Sequence, residues 1–477
     1  MKLSERAMAP AVVHQAYRFA LDPTASQQRR LASAVGGARF AYNWGLELVK
    51  RRLDERAAGH NVQVPWTLPA LRRDWNRAKH QAAPWWADNS KEAYSSGLDG
   101  LTRALKNWSD SRSGRRNGRP VGFPRFKRRG RRDACRFTTG AIRVLADRKH
   151  VQLPRLGIIK THESTRKLAR HLERGTGRIL SATITRTAGR WYVAFTCELT
   201  RQLPTSNGRV STVGVDVGIR HLAVLSTGEQ IPNPRPLERL QRRRRRLQRQ
   251  WNRQDRQRLA SGRTHPGRRQ QQTRRRIAVV EARAACIRRD ALHKLTSRLV
   301  AEHGTVVVER LNVTGMLRNR HLARAISDAG FAQLRRLLAY KTIWSGARLV
   351  QADPFFASSK TCSACGAARA TLRLDERTFR CHNDGCGLVL DRDLNAARNL
   401  ADLVVDLEAT EPQNNIPAVA GSGPETTNAR GADVRPGLVG RTAMNREAGT
   451  GFCPGQTGTV DAQAPTSPIM DTPRCPG

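Results

Sequence analysis

The chain has 477 residues, enough for two or three domains with sizeable cores. Its 85 Lys and Arg against 39 Asp and Glu give a formal net charge of +46, which indicates a polyanionic partner. The sequence has neither a run of eighteen apolar residues nor the apolar core of a secretory signal. We therefore expect no membrane partner and a cytosolic protein, in which disulfides are rare.

Residues 1–16 are predicted to be an N-terminal lead segment without a regular element. A short strand and a pair of helices are predicted to follow. Thr24 is the expected N-cap of the first helix, and Gln27 completes a capping box. Gly36-Gly37 is expected to end that helix, and a second one follows over Phe40–Leu53. Two helices joined by a glycine turn suggest a helix-turn-helix-like start, although a plain helical hairpin fits the pattern equally well. Apolar stripes predict further helices through Leu68–Trp75 and Ser90–Trp108.

The segment Ser111–Arg136 is too rich in Gly, Pro and charge to form a core, and it mixes phenylalanines with arginines. Basic side chains neutralise phosphates and aromatic rings stack on bases, so the segment fits RNA, with a solvated basic loop as the alternative. The candidate contacts in it are Arg115, Arg116, Phe123, Arg125, Phe126 and Lys127. Strands over Ile142–Pro154 and a hairpin over Ile179–Leu199, turning at Ala188-Gly189, then predict a small β-barrel.

Asp216 lies in the stretch VSTVGVDVGIRHLAVL at Val210–Leu225, which reads as two apolar strands joined by a turn at Gly218. A carboxylate within an apolar strand is unfavourable by several kcal/mol unless it is paired or holds a metal. On its own the stretch also fits the phosphate-binding hairpin of actin-like ATPases, or an aspartate that caps a turn. The second glycine-rich phosphate loop that such an ATPase needs is missing from the sequence.

An arginine-rich segment over Arg235–Arg276 follows, and its first half can form a helix. Phosphate contact is the favoured role and a solvated run the alternative, with candidate contacts at Arg242, Arg243, Arg244, Arg245 and Arg246. After it we predict an amphipathic helix over Ile277–Val300 and a strand, Thr305–Leu311, that carries Glu309. A helix over Phe331–Trp344 and a strand over Ala347–Ala352 come next.

Four cysteines with metal-ligand spacing lie in Ser358–Gly387: Cys362, Cys365, Cys381 and Cys386. Four thiolates leave no open coordination position, so they predict one structural zinc ion. The second pair has four intervening residues rather than two, which leaves His382 as a possible substitute ligand. The sequence DRDLNAA follows at once, and from it we select Asp393 as a third acid. Asp391 is expected either to support the metal ligands from behind or to cap the helix, and Asn395 to support the site.

Three carboxylates from distant parts of the chain, Asp216, Glu309 and Asp393, suit Mg²⁺, which prefers oxygen ligands. A pair of such ions stabilises both the attacking and the leaving oxygen in phosphodiester cleavage.

GVDVG, VVVERLNVTGM, CSACG followed by two further cysteines, and DRDLNAARNL, in this order, closely resemble the OrfB/TnpB family of transposon-encoded proteins. The resemblance covers roughly residues 17–402 and includes the opening segment YRFALDPTASQQRRLASAVGGARFAYNWGLELV. Members of that family are RNA-guided nucleases related to type V CRISPR effectors. The resemblance implies that Asp216, Glu309 and Asp393 are the catalytic acids of a RuvC-type, RNase H-like site that uses Mg²⁺. It also implies a guide RNA from the transposon end and cleavage of double-stranded target DNA.

The expected architecture is α/β and multidomain. The resemblance implies a wedge β-barrel with an inserted helical recognition lobe over 17–205 and an RNase H-like (RuvC) nuclease domain over 206–357 and 388–404, with the basic helix at 235–276. The four-cysteine zinc ribbon is inserted at 358–387, and a disordered tail covers 405–477. The alternative function is an RNA- and DNA-binding transposon regulator without useful catalysis. The expected location is the bacterial cytoplasm, associated with the nucleoid, and the oligomeric state stays open.

Overall fold

The computed structural model describes residues 8–130, 133–373 and 375–410. They form two compact units, Val12–Arg201 and, with residues 8–11, residues 202–410. None of the helices in these ranges combines the length and the apolar character that a bilayer crossing requires. The predicted disordered tail lies outside the described residues, except that its first six positions continue a helix that ends at Thr410.

The first unit combines a sheet of seven strands with four α-helices and one short 3-10 turn. The strand order is β2-β6-β7-β1-β5-β4-β3. Its elements are β1 Met8–Asp22, α1 Ala25–Ala57, α2 Leu68–Ala82, a 3-10 turn Pro84–Asp88, α3 Lys91–Arg112, β2 Ala134–Phe137, β3 Arg143–Val144, β4 His150–Leu153, β5 Gly157–Thr161, α4 Arg166–Glu173, β6 Gly177–Thr187 and β7 Arg190–Pro204. β1 begins at Met8, so the prediction of an irregular lead up to residue 16 is wrong.

The predicted glycine turn in the first helix is also wrong. The capping box of Thr24 and Gln27 is present, but α1 continues through Gly36-Gly37 for 33 residues. Gly37 serves packing: a Cβ there would lie 3.1 Å from the Tyr94 ring. Gly97 on α3 allows a still closer approach, since a Cβ there would meet the Ala38 carbonyl oxygen at 2.0 Å. In place of the predicted helix-turn-helix-like start, the structure has one uninterrupted helix that packs closely on α3.

The hairpin of β6 and β7 turns at Ala188-Gly189, as predicted. Both residues have positive φ angles, 51° and 86°, as a tight two-residue hairpin turn requires. The strands pair antiparallel from Gly177 with Leu199 to Thr187 with Arg190.

The second unit is built on a mixed sheet of five strands in the order β10-β9-β8-β11-β12. β8, β11 and β12 are parallel, whereas β9 and β10 run antiparallel to their neighbours. Its elements are β8 Thr212–Asp216, β9 His221–Leu225, β10 Gln230–Pro232, α5 Pro236–Ala260, α6 Arg268–Glu302, β11 Thr305–Glu309, α7 Val313–Met316, α8 Ala323–Ala329, α9 Phe331–Ser345, β12 Arg348–Ala352, β13 Thr378–Arg380, β14 Val389–Asp391 and α10 Arg392–Thr410.

Helices cover both faces of this sheet. Val306 and Val308 of β11 pack with leucines of α6 and α9 on one face. Val307 packs with Leu400 and Val404 of α10 on the other face. Alternate residues of a strand point to opposite faces, so this pattern fixes the direction of every side chain along β11.

The arginine-rich segment forms α5 and the first turns of α6, and these two helices form a hairpin. α6 begins at Arg268, nine residues before the predicted start at Ile277. Leu247 and Trp251 of α5 pack on Ile277 and Val280 of α6. The buried carboxylate of Asp328 accepts hydrogen bonds from the Leu237 and Glu238 amides at the start of α5. These hydrogen bonds hold the start of α5, the helix that carries Arg242–Arg246, in place.

Candidate functional site

The three predicted acids lie at the end of the five-stranded sheet where the parallel strands β8 and β11 have their carboxyl ends. Asp216 ends β8 and Glu309 ends the parallel strand β11, with Val215 and Val308 paired in register just before them. Because side chains alternate, Asp216 shares a face with Gly214 and Glu309 with Val307, and this is the face that α10 covers. Asp393 lies in the first turn of α10.

Gly214 allows this close approach. A Cβ at Gly214 would lie 1.9 Å from the Ala397 carbonyl oxygen, so any side chain there would push α10 away from β8. Asp216 lies two residues beyond Gly214, and Asp393 lies one helical turn before Ala397. The contact between backbones therefore sets the separation of the two acids.

Burial and the charges of its neighbours both act on the pKa of Asp216. Burial raises its pKa well above the usual range, and the negative charges of Glu309, Asp393 and Asp391 raise it further. The Arg392 guanidinium is the opposing influence, and it also contacts Asp393 at 3.5 Å. A part-buried group of carboxylates with so little compensating charge fits a divalent cation.

Asp391 and Asn395 have structural roles. Asp391 Oδ1 accepts hydrogen bonds from the amides of Asp393 and Leu394, so it caps α10, as predicted. Asn395 is fully buried and holds the cysteine segment: it accepts from the Ser363 amide at 2.9 Å and donates to the Thr361 carbonyl at 2.7 Å. It supports the acids only indirectly.

Two further polar residues at this site have no counterpart among the predicted ones. The hydroxyl of Ser358 donates to Glu309 Oε1 at 2.7 Å. Asn399 donates to the Ser358 and Thr361 carbonyls at 2.7 and 2.6 Å. The spacing of Asn395 and Asn399, one helical turn apart, is a signal that sequence inspection could have used.

The four cysteines form one cluster, and their ligand atoms all lie within 4.8 Å of one another. Cys362 Sγ lies 3.7 Å from Cys386 Sγ, and Cys365 Sγ lies 3.6 Å from Cys381 Sγ. A tetrahedral zinc ion with Zn–S bonds of about 2.3 Å separates its sulfurs by about 3.8 Å, so the cluster fits zinc. A hydrogen bond from the Ala367 amide lowers the pKa of Cys365 to about 7. His382 is not part of the cluster.

The predicted nucleic-acid contacts divide into exposed and packed residues. Phe123 packs edge-on against Trp108 at 5.0 Å and belongs to the helical core, so it is not free to stack on a base. Phe126 is exposed, beneath Lys50 at 4.7 Å. Lys127 exchanges two backbone hydrogen bonds with the Asn43 side chain, which fixes the segment on α1. Arg115, Arg125 and Lys127 are exposed and Arg116 is half-buried.

On α5, Arg242, Arg243, Arg245 and Arg246 are exposed. Arg244 is half-buried and pairs with Glu281 of α6 at 2.8 Å, so it stabilises the hairpin. The exposed face of α5 thus offers at most four of the five predicted phosphate contacts.

Comparison with known proteins identifies the family. Residues 194–320 match the OrfB_IS605 family, described as a probable transposase, and residues 331–400 match a Cas12f1-like TNB domain. Residues 8–57, which here form β1 and the uninterrupted α1, match a family described as a helix-turn-helix domain.

Full-length relatives agree with these matches. A putative RNA-guided DNA endonuclease of Mycobacterium tuberculosis (strain CDC 1551 / Oshkosh) is 40% identical over 413 residues, covering 81% of this chain and 86% of the relative. The InsQ protein of Escherichia coli K12, also named a putative RNA-guided DNA endonuclease, is 29% identical over 81% of this chain and 91% of its own length. The chain belongs to the OrfB/TnpB family of transposon-encoded proteins.

Among solved structures, the chain is similar to a Cas12f1–sgRNA–target DNA complex at a TM-score of 0.45 and 12% identity. That match covers 82% of this chain and 99% of the other.

Proposed function

We propose that this protein is an RNA-guided DNA endonuclease that hydrolyses phosphodiester bonds at Asp216, Glu309 and Asp393. The observation that carries the proposal is the position of these acids at the carboxyl ends of β8 and β11 and in the first turn of α10, where burial and the negative charges of Glu309 and Asp393 raise the pKa of Asp216. The names of the relatives supply the reaction class.

The three acids would hold magnesium, as two ions, which supplies charge stabilisation for the attacking and leaving oxygens when bound. Asp216 would be one of the ligands, and the negative charges of both Glu309 and Asp393 act on it. Arg392, close to Asp393, limits the repulsion among the acids before the metal binds. This arrangement is the RuvC-type, RNase H-like site that the sequence motifs imply.

We assign residues 206–357 and 388–404 to the nuclease domain, residues 358–387 to the zinc ribbon, and the seven-stranded sheet with α1–α3 to the wedge and recognition lobe. The partners are a guide RNA from the transposon end and double-stranded target DNA. The exposed arginines of α5 and the basic segment after α3 would contact their phosphates, consistent with the net charge of +46.

The first experiment is to express the protein with its native flanking DNA, purify it and sequence the RNA that copurifies. We expect one discrete RNA with a constant scaffold and a variable end. Random cellular RNA would contradict guide-dependent function and indicate binding through charge alone.

The second experiment is Mg²⁺-dependent cleavage of a matching target by the RNA complex. Asp216→Ala should abolish cleavage and leave RNA and DNA binding largely intact. Asp290→Asn, an exposed carboxylate on α6, is the matched control and should cut like wild type. An intact complex that binds its target and never cuts would favour the alternative, a non-catalytic regulator.

A further inference from the structure

The hydrogen bond between Ser358 and Glu309 joins the cysteine ribbon to the acids. Ser358 is the first residue of the ribbon, its side chain is 3% exposed, and its hydroxyl donates to Glu309 Oε1 at 2.7 Å. The remaining carboxylate oxygen, Oε2, is left for a cation. A buried hydroxyl in this position has one orientation in which it can donate to the carboxylate.

The backbone that carries Ser358 is itself fixed from α10. Asn399 holds the Ser358 carbonyl, and Asn395 and Asn399 both hold the Thr361 carbonyl. These amides belong to the helix that presents Asp393, and Cys362 follows directly on Thr361. One short segment therefore connects Glu309, the helix of Asp393 and the first zinc ligand.

We propose that Ser358 is a positioning residue that holds the Glu309 carboxylate in the orientation needed to bind the catalytic metal. The inference rests on the proposed metal-dependent nuclease function. Glu309 has a long side chain with three rotatable bonds, and the like charges of Asp216 and Asp393 repel it from the site in the absence of metal. The hydroxyl opposes that repulsion by holding one oxygen in place.

The loss of such a partner behind a metal ligand reduces metal affinity or activity by about 10- to 100-fold. We therefore expect Ser358→Ala to raise the half-saturating Mg²⁺ concentration for cleavage about tenfold or more, with KM for target DNA unchanged. Ser358→Thr keeps the hydroxyl and should restore the wild-type value. Ser363→Ala removes a hydroxyl from the same segment and is the matched control.

Binding of Mn²⁺, followed by electron paramagnetic resonance, tests the same inference without cleavage. Ser358→Ala should weaken binding by the same factor, with Asp216→Ala as the reference for an emptied site. Zinc content and unfolding temperature, both equal to wild type, would show that the ribbon is intact. If wild type fails to cut while Ser358→Ala still weakens Mn²⁺ binding, the proposed function falls and the positioning role stands. Equal Mn²⁺ affinity in Ser358→Ala and wild type would overturn the inference.

A second observation concerns Phe355, whose side chain is 92% exposed. It lies in the five-residue connection between Ala352, which pairs with Glu309 in the sheet, and Ser358, which binds the Glu309 carboxylate. Both ends of the connection are thus fixed at Glu309. Three residues span at most about 11 Å, so Phe355 stays near the acids.

The connection holds Phe355 in a defined position. Asp353 Oδ1 accepts from the Phe355 amide at 2.8 Å, and the next residue, Phe356, packs in the core with Val307 and Leu400. An exposed aromatic ring, on a backbone that is held beside acids that would cleave DNA, fits a nucleobase, because every base has a face that can stack on a ring. The geometry points to Phe355 as a contact for a base of the strand being cut.

Stacking of one base is worth about 1–3 kcal/mol, so Phe355→Ala should reduce cleavage efficiency by about 5- to 150-fold. Phe355→Trp should cleave with the efficiency of wild type, whereas Phe355→Leu, which has no ring, should not retain that efficiency. A photoreactive benzoylphenylalanine at position 355 in the Asp216→Ala complex should crosslink to target DNA near the cut site, which needs no catalysis. The control is the same group at Val210, which is 98% exposed. Val210 precedes β8 and therefore lies at the opposite end of the strand from Asp216. Absence of a DNA crosslink at 355, with unchanged cleavage by Phe355→Ala, would overturn this contact.

Discussion

At the scale of single residues, Asp216 shows how the arrangement proposed for catalysis affects the stability of the fold. Its pKa in the folded protein is raised well above its usual value of 3.8 by burial and by three neighbouring acids. The folded state therefore favours the protonated form. The stabilising effect of that proton is complete below the unfolded pKa and is lost as the pH rises through the folded pKa.

This linkage predicts a pH-dependent difference between wild type and Asp216→Asn in magnesium-free buffer. The variant should unfold at a higher temperature than wild type, and this difference should widen as the pH rises above the unfolded pKa, until the pH passes the raised pKa of folded Asp216. Added Mg²⁺ should raise the unfolding temperature of wild type and not of the variant, because only the intact site binds it. Calorimetry measures both effects. A difference in unfolding temperature between wild type and Asp216→Asn that does not change with pH would contradict the crowding of negative charge around Asp216.

At the scale of elements, glycines determine how closely helices approach their neighbours. Gly214→Ala should displace α10 from β8, because its Cβ would meet the Ala397 carbonyl at 1.9 Å and the Ala401 amide nitrogen at 2.7 Å. We expect a loss of about 3 kcal/mol of stability and loss of cleavage, since Asp216 and Asp393 would separate. Urea unfolding and the cleavage assay test this prediction, and wild-type activity in Gly214→Ala would refute it.

Gly36 gives the opposite expectation. It lies within α1, and a Cβ there would have only the Arg39 side chain near it, at 4.0 Å. Gly36→Ala should therefore stabilise the protein by up to about 1 kcal/mol, because alanine is the better helix former. Gly37→Ala, which would crowd Tyr94 at 3.1 Å, is the contrasting variant. Destabilisation by Gly36→Ala, measured by thermal unfolding, would favour the glycine turn that the sequence suggested.

The zinc ribbon yields a prediction that separates its candidate ligands. Cys386→Ser should abolish binding of one zinc ion per chain, whereas His382→Ala should keep it, because His382 lies outside the sulfur cluster. Elemental analysis of the purified proteins measures the ratio. Cleavage by Cys386→Ser should also fall, since Ser358, Asn395 and Asn399 join the ribbon to the acids. Zinc retained by Cys386→Ser and lost from His382→Ala would reverse the ligand assignment.

These elements also show what the sequence can and cannot predict. Apolar runs and cysteine spacing were sufficient to find β8, β11 and the ribbon, because periodicity and ligand spacing are local properties. The glycine pair in α1 was misread since a glycine that ends a helix and one that admits a neighbouring ring have the same sequence signature. Ser358 was not found because a single serine gains its role only when β11 and the ribbon meet in space.

At the scale of the whole molecule, the net charge of +46 makes binding of nucleic acid strongly salt-dependent. The logarithm of the association constant should fall linearly with the logarithm of salt concentration, with a slope of about 0.9 for each phosphate contacted. Replacing Arg242, Arg243 and Arg246, all exposed on α5, with Gln should lower that slope by up to about 3. Arg244→Gln is the matched control: Arg244 pairs with Glu281, so its loss should reduce stability and leave the slope unchanged. Fluorescence titrations with the copurified RNA at several salt concentrations give the slopes. An unchanged slope in the triple variant would exclude α5 as a phosphate-binding helix and place the contacts elsewhere on the basic surface.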